Sequence, residues 1–201
     1  MISREDWLKE ATKIIERDIL SKHQTMLPEN WTVSVGFCSN PKAIGQAWDK
    51  KASVDEKTHQ MFISPVLGKH DKVNLLQVLL HESIHISVGV DQKHGGEFKR
   101  VARAAGLEGR LTATYVTETN PLYATLQNIY EETKRITGCD YPHEEITLKV
   151  KEKKARKSNI IKLVSENDPA YIVKIKKDLI ESAGVPVDPW GEKMKPLEED
   201  E

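Results

Sequence analysis

Residues 74–100, NLLQVLLHESIHISVGVDQKHGGEFKR, hold the reading on which the rest of the chain depends. From Val73 to Val90 the only ionisable side chains are His81, Glu82 and His85. Charged groups are rarely buried unless they are paired or bound to something. An apolar segment with an acid flanked by two imidazoles near its middle therefore reads as a buried helix that carries a site. Asp71 is its expected N-cap, and Gly89 its C-terminal residue.

His81-Glu82-Ser83-Ile84-His85 is an H-E-x-x-H sequence. On a helix, residues four apart lie about one turn apart on the same face. Two imidazole nitrogens can then converge on one zinc ion, at bonds of about 2.0–2.1 Å. Glu82 sits beside the metal rather than on it, where a carboxylate can take the proton of a zinc-bound water. A metal would compensate for burying these three groups.

A catalytic zinc needs three protein ligands and one open position. Gly89 lets the chain leave the helix, VDQK is a short connection, and His94 arrives at the start of the next helix. Gly95 and Gly96 remove side-chain bulk where backbone passes near the metal. His94 is the expected third ligand. Glu97, three residues on, is its rival, because an acidic third ligand beside two histidines also occurs in zinc peptidases. Asp91 falls inside the turn. The metzincin pattern fails, with Val88 where glycine is needed and Asp91 where histidine is needed.

Working outward, Ser3 can cap a first helix with Trp7, Leu8, Ala11, Ile14, Ile15 and Ile19 at helical spacing. WTVSVGFC alternates and is rich in β-branched residues, so it reads as a strand. AIGQAW and HQMFIS read as two more, and Pro65 and Gly68 end that sheet region. After the motif come a short helix in GGEFKRVARAAG, with Phe98, Val101 and Ala102 inward, and a brief strand in TATYVT. PLYATLQNIYEETKRIT is a further amphipathic helix. A helix, then strands, then mostly helices argues for an α+β domain.

The chain has 201 residues, enough for one domain with a small appendage. Its 30 basic and 31 acidic residues give no global pull toward nucleic acid or membrane. Two cysteines, Cys38 and Cys139, make neither a disulfide framework nor a four-thiolate zinc site, which fits a reducing compartment. The N-terminus lacks the apolar run of a signal peptide. No segment approaches the roughly eighteen apolar residues of a membrane span. A cytoplasmic protein is expected.

Past Tyr141 the composition changes. A basic run (Lys149, Lys151, Lys153, Lys154, Arg156, Lys157) is either a solvated linker or a local candidate for DNA phosphate contact. YIV, a helix-like KIKKDLIESAG and an acidic tail follow. A boundary near residue 145 separates residues 1–145 from 146–201.

H-E-x-x-H followed by H-G-x-x-F, here HESIH and HGGEF, resembles the SprT-like zinc metallopeptidases. The continuation KRVARAAGLEGRLTATYV is similar to versions found in bacteriophages and bacteria, where the host cytoplasm would be the setting. The resemblance spans about residues 1–145. It implies a zincin-like α+β domain with a small antiparallel sheet, and one zinc ion on His81, His85 and His94. It further implies that Glu82 is the general base of an endopeptidase acting on a protein or peptide. The competing reading is a catalytically silent zincin-fold binding module for a protein or a DNA-associated partner.

Within residues 146–201, IIKLVSENDPAYIVKIKKDLIESAGVPVDPWGEK resembles the C-terminal zinc ribbon of such relatives but contains no cysteine. Ser165, Asp168, Asp188 and Trp190 stand about where the four thiolates would be expected. A ribbon without metal follows, with Trp190, Ile161, Val164 and Ile172 as its apolar core. For an extended substrate, residues 59–63 are the expected sheet edge. Tyr115, Tyr123, Tyr141 and His143 are candidates for an oxyanion donor.

Overall fold

The computed structural model describes residues 2–40, 42–144, 146 and 159–197. The chain divides into two compact units, Met1–Leu148 and Lys149–Glu201. The basic run Lys149–Lys157 and the tail beyond Leu197 lie outside the described residues.

In the first unit, helix α1 (Arg4–Asp18) starts where Ser3 Oγ accepts the Asp6 N–H at 3.0 Å, leaving one fewer orphan donor at the helix start. Its apolar stripe buries Trp7, Leu8, Ala11, Ile14 and Ile15. Strands β1 (Trp31–Val35), β2 (Gly45–Trp48) and β3 (His59–Ile63) form one sheet in the order β1-β3-β2. β1 runs parallel to β3 and β2 antiparallel to it, so the sheet is mixed rather than wholly antiparallel. Residues 59–63 are therefore the centre of the sheet, not its edge. The period-two pattern that identifies a strand says nothing about which neighbours it acquires. Among the described residues, the strand left with an open side next to the motif helix is β2.

Helix α2 (Lys72–Val88) is capped by Asp71, whose Oδ1 accepts from Asn74 N–H at 3.3 Å, and ends at Gly89 with φ 97°, a backbone that favours glycine. It is apolar nearly all round, as a helix enclosed by neighbours must be. β2 and β3 cover one side of it, while α1, α3 (Gly96–Ala104) and α4 (Pro121–Thr137) pack elsewhere on it. Trp7 anchors this core, with ring centroids 5.0 Å from Tyr130 and 5.2 Å from Tyr141. The brief strand expected in TATYVT is β5 (Ala113–Tyr115). It pairs with β4 (Glu108–Arg110), whose EGR sequence carries no strand pattern.

The second unit contains β6 (Ile160–Val164), β7 (Ile172–Lys176), α5 (Lys177–Ala183) and β8 (Lys195–Pro196), with sheet order β7-β6-β8. The helix read in KIKKDLIESAG begins only at Lys177, because Ile172–Lys176 is claimed by pairing with β6. The apolar core expected there is also different. Trp190 is 59% and Ile172 46% exposed, and among the described residues of this unit the buried apolar ones are Leu163 and Met194. Beside them lies a polar knot. The Ser165 hydroxyl donates to Asp188 Oδ2 at 2.5 Å, and Asn167 Nδ2 donates to the same oxygen at 3.0 Å. The Asp168 N–H reaches Ser165 Oγ, and the N–H groups of Trp190 and Glu192 reach Asp188 Oδ1. These bonds, the Ser165 hydroxyl first, hold the Asp188 carboxyl down to about 2. The four positions expected of thiolates are thus joined by hydrogen bonds between two loops.

Candidate metal centre

His81 and His85 project from the same face of α2, as the four-residue spacing requires. Past Gly89, residues Val90–Gln92 make a short 3₁₀ turn. Lys93 at φ 48° then reverses the chain, so that His94 comes back toward the helix. His94 precedes α3 rather than starting it, with Gly95 as the N-cap residue. Its Nε2 lies 3.3 Å from His81 Nε2 and 3.3 Å from His85 Nε2. Among the described residues, these three side chains are the group whose ligand atoms could hold a metal ion.

Phe98, in the first turn of α3, fits among the three rings. It stacks on His85 at a centroid distance of 4.3 Å and meets His81 and His94 edgewise at 4.9 Å. A rigid apolar plate thus fixes the ring directions while excluding water on that side. Burial, reinforced by the neighbouring imidazoles, pushes His81 down to about 4 and His85 to about 3, and burial also lowers His94. All three are consequently neutral near pH 7, the form that offers a lone pair to a cation.

Glu82 turns the other way, toward β2, and is only 6% exposed. Burial raises its carboxyl to about 8, partly opposed by a hydrogen bond from the Ala47 N–H. It fits because residue 45 is glycine: a Cβ there would lie 2.5 Å from Glu82 Oε1. Glu82 shares a cleft of about 620 Å³ with His81, His85 and His94; Gly45 and Gln46 line one wall, Lys42 and Lys93 also face it, and Thr112 and Thr114 complete it.

The rivals are elsewhere. Glu97 is exposed and bonded to Arg100 at 2.8 Å, and neither it nor Asp91 belongs to the cluster. None of the four oxyanion candidates lines this cleft. Tyr115 and Tyr123 line a second cavity of about 410 Å³ that shares Asn74 and Gln77 with the first. Tyr141 is buried in the Trp7 cluster, and His143 bonds to the Pro65 carbonyl at 2.9 Å.

Sequence reasoning missed Gly45, Gln77 and Thr114. Gln77 carried a signal, lying four residues before His81 and so on the same helical face. Gly45 and Thr114 reach the site only through the sheet and the β4–β5 hairpin, with nothing in local spacing to mark them.

Fold and site together define an α+β domain with a three-histidine cluster able to hold a metal ion beside a buried carboxylate. No family model, no curated protein and no solved structure matches the chain. No helix among the described residues is long and apolar enough to cross a membrane.

Proposed function

We propose that the chain is a zinc-dependent endopeptidase of the SprT-like kind, with a zincin-like first unit. His81, His85 and His94 would hold the ion, and Glu82 would serve as general base. The observation that carries the proposal is the convergence of three neutral imidazoles beside a buried carboxylate that is not part of the ligand set. A purely structural metal site has no need of such a group.

The spacing supports zinc. Bonds of about 2.0–2.1 Å at tetrahedral angles put neighbouring ligand nitrogens about 3.3 Å apart. The two recorded Nε2 separations are both 3.3 Å. Three histidines with one position left open is also a ligand set of catalytic zinc. When bound, zinc supplies a Lewis acid and brings the pKa of water toward about 7.

The protein's own residues divide the remaining work. The Ala47 N–H holds the Glu82 carboxylate in place. Glu82 takes a proton from the attacking water and passes it to the leaving amine. A buried carboxyl whose metal-free pKa is near 8 becomes a base of suitable strength once a cation lies beside it.

β2 supplies the substrate track. The Ile44 carbonyl accepts from the Ser64 N–H, so by antiparallel alternation Gln46 also bonds toward β3. The Gly45 N–H and carbonyl and the Ala47 carbonyl then face the open side, where an extended peptide can add as a further strand, while the Ala47 N–H is taken by Glu82.

The test is bound zinc and cleavage of unfolded protein substrates for native chain, Glu82→Gln and His94→Ala. Glu82→Gln should keep one zinc ion and lose cleavage, and His94→Ala should lose zinc. Equal cleavage by native protein and Glu82→Gln would defeat the proposal.

A further inference from the structure

The second nitrogens of the two helix-borne imidazoles differ in their surroundings. His85 Nδ1 is buried with no hydrogen-bond partner, and its ring is held by stacking on Phe98. His81 Nδ1, by contrast, lies 2.9 Å from the hydroxyl of Thr114 on β5. That hydroxyl is 3.4 Å from Gln77 Oε1, and Gln77 Nε2 is 3.0 Å from Asn74 Oδ1. Gln77 is itself a buried polar residue, one turn before His81 on the same helix.

We infer that Thr114, backed by Gln77, is a positioning residue that sets the tautomer of His81 for metal binding. This rests on the zinc reading above and extends it to residues outside the ligand set.

A neutral imidazole carries one proton. If it sits on Nε2, that nitrogen has no lone pair to give and points an N–H at His94 Nε2. If it sits on Nδ1, Nε2 is free to ligate. The relay selects the second arrangement because its bonds run in one direction. The Gln77 amide group donates to Asn74, which leaves its carbonyl oxygen turned toward Thr114. That oxygen can only accept, so the Thr114 hydroxyl donates to it and presents a lone pair to His81. Nδ1 must then be the donor. Reversing the tautomer would turn the hydroxyl proton toward His81 and leave the Gln77 carbonyl unpaired in a buried place, which is unfavourable. The side chain is short, branched and carried by a hairpin, so it also limits rotation of the ring.

Partners of this kind commonly change metal affinity ten- to a hundredfold when removed. Zinc affinity should be measured by chelator competition for native protein, Thr114→Val, Thr114→Ser and Gln77→Leu, with unfolding midpoints recorded for each. Thr114→Val is isosteric and should weaken zinc binding about ten- to a hundredfold. Thr114→Ser should restore it, which a packing role for the methyl group would not predict. Gln77→Leu should weaken it in the same direction by a smaller factor. Nitrogen-15 NMR of the zinc-loaded native protein should show the His81 proton on Nδ1, protected from exchange, and that protection should disappear in Thr114→Val. Native-like zinc affinity in whichever of Thr114→Val and Gln77→Leu folds would overturn the inference. A native protein that takes up no zinc would instead defeat the reading on which it stands.

Discussion

Replacing Gly45 with alanine separates a steric role for this glycine from an incidental one, because the two predict opposite signs. A Cβ at position 45 would meet Glu82 Oε1 at 2.5 Å, Val78 Cγ1 at 2.6 Å and Glu82 Cγ at 2.9 Å. Carbon atoms pack at about 3.5–4.0 Å, so the carboxylate and Val78 must withdraw by roughly 1 Å. Neither can do so freely, since Glu82 is buried against β2 and Val78 belongs to the core. The backbone itself does not object: Gly45 is not among the positive-φ residues. At an open strand position the exchange would stabilise the fold by about 0.4–1 kcal/mol through the unfolded chain. Overpacking costs about 1–3 kcal/mol, which leaves a net loss of about 1–2 kcal/mol. For a chain of this size that lowers Tm by about 2–8 °C, read by circular dichroism. A 1 Å displacement of a reacting group costs about a hundredfold in rate. Cleavage should fall accordingly while the bound zinc remains, because no histidine is touched. A Gly45→Ala protein at least as stable as the native one, cleaving at the native rate, would refute the argument.

Two further outcomes concern pH and the second unit. In metal-free protein the folded-state pKa values of His81 and His85, about 4 and 3, lie below the ordinary value near 6.5. The unfolded chain binds more protons in that window, so stability rises with pH through it and is lost on acidification below about 6.5. Glu82 acts oppositely: the folded state keeps a proton, to about 8, that the unfolded chain releases above about 4.5, so its contribution is lost as pH rises toward 8. Two imidazoles outweigh one carboxyl on the acid side, and urea midpoints of metal-free protein should peak near pH 6.5. Excess zinc should remove the alkaline decline, and a flat metal-free profile from pH 5 to 9 would contradict these assignments. In the second unit, Asp188→Ala should remove the acceptor of the Ser165 hydroxyl and of the Trp190 and Glu192 amides. Those amides should then exchange faster by hydrogen-exchange mass spectrometry, with native protection counting against the knot. The native Asp188 contribution, present above the ordinary carboxylate range, should be lost as pH falls through about 2.

The local sequence determined the helix that carries the histidines, its limits at Asp71 and Gly89, and the common face of His81 and His85. These follow from short-range rules: a cap accepts an N–H three residues on, a glycine permits a positive φ, and four residues make about one turn. The turn that returns His94 was legible for the same reason. Trp7, Phe98 and the α4 stripe were readable because burial and helical periodicity coincide there.

Only the tertiary structure decided which strand faces the site. Residues 59–63 and 45–48 are both strand-like, and nothing in either says that β3 takes the middle while β2 keeps the open side. The same holds for Gly45, whose lack of a side chain matters solely because Glu82 arrives from another element, and for Thr114, delivered from 33 residues away. Hydrogen bonds and steric limits between distant segments have no periodicity for a sequence to display. In the second unit, too, Trp190 is apolar by composition yet exposed, while Ser165 and Asp188 are polar yet buried, because each satisfies the other.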